Sequence, residues 1–109
     1  MDNLLTATFE AHHAGRNHHR LYQVTVGSDL FDAWTIRIRY GRTGQPGREL
    51  RFASPEVISL QRVVRDRLRR QLSAPRRIGT PYRLVELTAI AGFDTDAWLA
   101  AEVMRRLAG

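Results

Sequence analysis

Trp34-Thr35-Ile36-Arg37-Ile38-Arg39-Tyr40-Gly41-Arg42-Thr43-Gly44 decides how this chain folds. Trp34, Ile36, Ile38 and Tyr40 fall on one side of an extended backbone, and Thr35, Arg37 and Arg39 on the other. A period of two is what a half-buried strand requires, because successive side chains point to opposite faces of a sheet. The stretch is therefore a strand with an apolar inner face and a basic outer one.

Working outward, Gln45-Pro46-Gly47-Arg48 has Pro and Gly where a type II turn wants them, so Glu49 to Phe52 can return as a further strand with Leu50 and Phe52 inward. Upstream, residues 4 to 10 place Leu5, Ala7 and Phe9 on one side, and residues 19 to 26 do the same with Tyr22, Val24 and Val26. Between them His12-His13-Ala14-Gly15-Arg16-Asn17-His18-His19 carries the Gly and Asn of a hairpin turn, and Gly27-Ser28-Asp29 breaks the second strand. The pattern is an antiparallel meander.

Downstream, Ser54-Pro55-Glu56 reads as a helix start, with a hydroxyl at the N-cap, proline at the first helical position and an acid near the positive end of the dipole. The helix runs to about Leu72, with Val57, Leu60, Val64, Leu68 and Leu72 as a core stripe and Arg62, Arg65 and Arg69 on a flank. Ser73 to Arg77 reads as a breaker, Thr80 to Leu87 as a last strand, and Thr95 as the cap of a second helix running through Leu107. The expected class is α+β: an antiparallel-rich sheet of about five strands packed by one main helix, plus a C-terminal helix. One domain over residues 1–109 is expected, with its core at about 4–87 and a helical extension over 88–109.

With 109 residues and 43% hydrophobic content the chain can build one core. It has no Cys, which excludes disulfides and cysteine-based zinc sites. No stretch approaches the roughly 20 apolar residues of a membrane span. Met1-Asp2-Asn3 also lacks the features of a signal peptide, so a cytoplasmic protein without membrane contact is expected.

The charge is uneven. Residues 37 to 83 hold 13 Arg against Glu49, Glu56 and Asp66, a net of +10, while each flank is −2 within a total of +6. All 17 basic residues are Arg. Its planar fork matches phosphate oxygens and stacks on bases, which favours a polyanionic partner. A GC-rich genome accounts for the absence of Lys equally well, but not for the clustering.

The strand ending in Tyr40-Gly41-Arg42, the following Thr43-Gly44, the Ser54-Pro55-Glu56 helix start and the closing Tyr82-Arg83-Leu84-Val85-Glu86 together resemble the WGR domain. That family is best known from poly(ADP-ribose) polymerases and is also present in small bacterial proteins. The resemblance runs from about Tyr22 to Leu87, with Tyr40 standing where the family has its name-giving tryptophan. It implies a mixed sheet packed by one main helix, and contact with a DNA end. By position, Tyr40 would present a ring to a sugar or base, Arg42 would contact phosphate, and Gly41 and Gly44 would be structural.

The residues support that expectation independently, since a glycine-bounded turn beside an aromatic and several arginines lets backbone and guanidinium approach a phosphate closely. The candidate nucleic-acid contacts are Tyr40, Arg42, Arg37, Arg39, Arg48, Arg76 and Arg77, with Gly41, Gly44 and Gly47 shaping the turn. Backbone contacts carry little sequence information, so weak specificity for DNA or RNA is expected. Each candidate has a plainer alternative: Tyr40 as a core tyrosine, Arg42 as a brace for a neighbouring acid or loop, and Arg37 and Arg39 as a solvated strand face. For Arg62, Arg65 and Arg69 the solvated helix flank is the favoured reading, whereas loops carry binding residues disproportionately and so favour Arg76 and Arg77.

His12 and His19 could approach across the hairpin, with His13 and His18 nearby, and imidazole suits zinc, copper or nickel. No carboxylate stands at ligand spacing, so neither a physiological metal nor a cofactor is expected. No catalytic signature is present and no catalytic residue is assigned, which leaves a binding module rather than an enzyme. A protein-interaction module is the alternative, since the helix carrying Trp98 offers a surface for a partner or a second copy of the chain.

Overall fold

The computed structural model describes residues 2–13, 15, 18–31 and 33–108. Five strands and four helices follow one another as β1 (Asp2–His13), β2 (His18–Ser28), β3 (Trp34–Arg42), β4 (Arg48–Ser54), α1 (Val57–Gln71), α2 (Ala74–Ile78), β5 (Arg83–Ala89), α3 (Thr95–Trp98) and α4 (Ala101–Ala108). The strands form one sheet in the order β4-β3-β2-β1-β5. Every pairing is antiparallel, so the mixed sheet implied by the resemblance is replaced by a four-strand meander whose β1 edge is closed by β5.

Register explains the two faces. Leu5, Val26, Ile36 and Phe52 lie across from one another on the inner face, and so do Ala7, Val24, Ile38 and Leu50. Leu60, Val64 and Leu68, four residues apart on α1, bury against this face, while Val57 and Leu72 are half-buried at its rim. The same core takes in Trp98, Leu99, Val103 and Leu107 from the C-terminal segment. Trp98 sits with its ring 5.5 Å from that of Trp34 and 6.2 Å from that of Phe93.

Several boundaries differ from the sequence reading. The N-cap of α1 is Glu56, not Ser54. Ser54 ends β4, and its hydroxyl accepts a bond from the Glu56 amide at 3.0 Å, holding the turn into the helix. Residues 74–78 form the short α2 instead of a plain breaker, because proline near the helix start and Gly79 at a left-handed φ of 79° punctuate it. The C-terminal helix is interrupted at Leu99, which is extended, and its first segment is capped by Asp94 rather than Thr95. The expected hairpin turn falls partly on residues 14, 16 and 17, outside the described residues.

The β3–β4 turn depends on two glycines. Gly47 has φ 67°, and a Cβ there would lie 2.4 Å from the Tyr40 carbonyl oxygen; a Cβ on Gly41 would lie 2.9 Å from the Gly47 Cα. Neither position accepts a side chain without moving the opposite strand.

Candidate nucleic-acid interface

Alternation along β3 divides the candidate arginines. Tyr40 and Arg42 continue the inner face beyond the part covered by α1, whereas Arg37 and Arg39 point to the open outer face. The sheet therefore separates residues that sit within six positions of one another in the chain.

On the inner side, Tyr40 lies opposite Tyr22 on β2 and Arg48 on β4. Its ring is half-buried against the core, 6.3 Å from the Tyr22 ring, which in turn is 6.1 Å from that of Tyr82. All three tyrosines of the chain thus form one row at the end of the core. Burial pushes the Tyr22 hydroxyl up to about 12, against the pull of the Arg67 guanidinium and of Gln71. Tyr82 is raised by burial too, with Arg20 and Arg77 pulling the other way. Arg20, Arg67 and Arg77 are thus the cations that act on the row.

Arg20 and Arg42 face each other directly across β2 and β3. Two guanidiniums therefore leave neighbouring strands side by side at this end of the sheet. Arg77 is held in place by neutral acceptors: the Ser73 hydroxyl at 2.8 Å, the Gln71 side-chain oxygen at 3.1 Å and the Arg70 carbonyl at 3.4 Å. Its geometry is fixed while its charge is not cancelled by these bonds. Arg76 lies beside it on α2 and is exposed.

On the outer face the electrostatics differ. Arg37 Nε is 3.3 Å from one Glu49 oxygen and Arg51 is 3.0 Å from the other, so one carboxylate serves two guanidiniums. Arg39 is exposed and stands opposite Glu49 in register. Arg37 and Arg51 rim a cleft of about 340 Å³ whose lining includes Thr25, Thr35 and Gly27. On the helix flank, Arg69 pairs with Asp66 at 3.5 Å and Glu102 at 3.8 Å.

The structure brings Tyr40, Arg42, Arg48 and Arg77 to one end of the inner face, adds Arg76 beside them, and sets Arg37 and Arg39 apart. Gly41, Gly44 and Gly47 all hold positive φ in the β3–β4 connection; Gly44, at φ 83°, lies in a turn over residues 42–45 closed by the Gln45 amide donating to the Arg42 carbonyl at 3.1 Å, so the tight turn falls ahead of the type II turn expected over residues 45–48. Sequence reasoning missed Arg20. The signal was available, because Arg20 lies two residues before Tyr22 and so shares its face. Arg67 carried no comparable signal. Its place beside Tyr22 and over the Phe52 ring, 5.6 Å from the centroid, depends on how α1 docks.

The raised Tyr22 hydroxyl has a measurable consequence. The native state keeps a proton that an unfolded tyrosine releases near pH 10, so stability is full below that pH and falls as pH rises toward about 12. The loss amounts to roughly 2–3 kcal/mol by the top of that window. Urea titrations at stepped alkaline pH are expected to show this decline, and to show it flattened in Tyr22→Phe. An equal decline in that variant would place the titration elsewhere.

Among the described residues no group of three or more His, Asp or Glu is arranged to hold a metal ion. None of the helices described is long and apolar enough to cross a membrane. A family model described as the WGR domain matches residues 5–56, from β1 to the start of α1. The match begins earlier than the resemblance read from Tyr22 and ends before β5. No curated protein matches the chain.

Proposed function

Because residues 5–56 match the family model of the WGR domain, a family associated with nucleic-acid binding, we propose that this chain binds DNA or RNA through the arginine-lined end of its inner sheet face. The observation that carries the reading is the Arg20–Arg42 cross-strand pair beside the tyrosine row, with Arg48 and Arg77 flanking it. Guanidiniums set around the half-buried Tyr40 ring suit a backbone phosphate with a sugar or base against it. The reading is of a binding module and not a catalyst, because phenols with raised pKa and guanidiniums keep their protons at neutral pH and serve anions as fixed donors. Phosphate contacts of this kind position the protein, so sequence preference is expected to be weak.

Fluorescence anisotropy against end-labelled duplex, single strand and RNA tests this. Four arginines on phosphates give a slope of about −3.6 in log affinity against log salt, or roughly 100-fold weakening between about 50 and 200 mM. Failure of duplexes with blunt, nicked and overhanging ends, of single strand and of RNA to bind at the lower salt would overturn the proposal.

A second reading, a protein-interaction module, is favoured by the loop between β2 and β3. There Leu30 and Phe31 are 86% and 88% exposed. The Asp29 carboxylate accepts bonds from the Phe31 and Ala33 amides at 2.8 and 3.0 Å. Two large apolar side chains displayed on a braced loop suit an apolar pocket on another protein. Such binding would persist at the salt that releases nucleic acid.

A further inference from the structure

The turn end of the β1–β2 hairpin brings together the two histidines that the sequence suggested could meet, and adds a carboxylate to them. His12 and His19 are direct cross-strand partners, and their Nδ1 atoms are 2.9 Å apart, with ring centroids at 5.1 Å and planes tilted by 57°. On the far side of the first ring, His12 Nε2 meets a Glu10 carboxylate oxygen at 2.5 Å. A carboxylate there accepts a proton from Nε2, which fixes the tautomer and leaves the Nδ1 of His12 as a bare lone pair aimed at His19.

We propose that His12 and His19 form a two-imidazole chelate for a late first-row divalent ion of tetragonal preference, copper(II) or nickel(II), oriented by Glu10. Two nitrogens 2.9 Å apart, each about 2.0–2.1 Å from a shared ion, subtend an angle of about 90° at it. That is the angle between neighbouring ligands in square-planar and octahedral coordination, which copper(II) and nickel(II) favour. A tetrahedral zinc ion would need the nitrogens roughly 3.3 Å apart.

The proton shared between the rings moves to Nε2 of His19 through solvent as the ion binds, so both imidazoles stay neutral. Glu10 supplies the orienting bond that metal-bound histidines ordinarily have and contributes one negative charge, opposed by Arg83 across from it on β5. A recess of about 320 Å³ lined by Glu10, His12, Thr80, Pro81, Arg83 and Val85 lies on the Glu10 side of the first ring, and the remaining coordination positions of the ion are left to water. The two ligands come from different strands, so the ion also clips the hairpin end.

The test is calorimetric titration of the full chain with nickel chloride and copper chloride at about pH 7.5, where imidazole is neutral. Pulsed EPR of the copper-loaded protein counts the coordinated rings, and circular dichroism checks each variant for folding. The expected result is one bound ion with two coordinated imidazoles, weakened by roughly tenfold or more in His12→Ala and in His19→Ala. Glu10→Gln should weaken it by about tenfold. His13→Ala leaves it unchanged, because alternation along β1 turns His13 to the face opposite His12. Absence of binding, affinity that survives loss of His12 or His19, an equal fall in His13→Ala, or zinc binding more tightly than nickel would each overturn the proposal.

Discussion

Trp98→Ala is expected to cost about 3–5 kcal/mol of folding stability, the range for emptying a buried tryptophan site. Trp98 is almost completely buried, and its ring packs between Trp34 at the start of β3 and Phe93 ahead of α3. It joins the C-terminal segment to the sheet, in a part of the chain that lies beyond the residues matching the WGR family. Domains of this size have total stabilities of roughly 5–15 kcal/mol, so the variant stands near the edge of folding. Trp98→Phe, which keeps a ring in the site, provides a milder companion. Chemical denaturation of both measures the effect, and a loss under about 1 kcal/mol in the alanine variant would mean that the C-terminal helices dock loosely.

The second large effect is on binding and separates the two faces of the sheet. Arg42→Ala combined with Arg77→Ala removes two guanidiniums from the inner face. Each lost phosphate contact lowers the salt slope by about one, so the pair should weaken binding by tenfold or more at about 50 mM salt. Arg37→Ala combined with Arg39→Ala removes the same formal charge from the outer face, where Glu49 already engages Arg37. Only long-range attraction is lost there, and screening within about 10 Å limits that to a few-fold. Equal loss of charge with unequal loss of affinity is the signature of a localised site.

The strands were legible because burial on one face writes a period of two into the sequence. Trp34-Ile36-Ile38-Tyr40 and Tyr22-Val24-Val26 took the positions their alternation indicates. The core stripe of α1 was legible for the matching reason at helical spacing. Boundaries were less so. Ser54 looks like a cap, yet its hydroxyl serves the turn before the helix, and Leu99 breaks a pattern whose apolar residues continue on either side. The site was legible in its residue types and in part of its grouping. Alternation along β3 already turned Arg37 and Arg39 away from Tyr40, and the hairpin reading already brought His12 toward His19. The Arg20–Arg42 pair exists only through the register of β2 on β3, which no local pattern fixes. The row from Tyr40 through Tyr22 to Tyr82 needs β5 and α2 to close beside the meander, which no local pattern specifies.

The most direct measurement is an anisotropy titration of end-labelled duplex with the unaltered chain, the Arg42/Arg77 double variant and the Arg37/Arg39 double variant, across about 50–200 mM salt. The account expects the inner-face variant to lose about two from its salt slope and the outer-face variant to keep the slope of the unaltered chain. Parallel slopes for all three proteins, or a steeper loss in the outer-face variant, would contradict it.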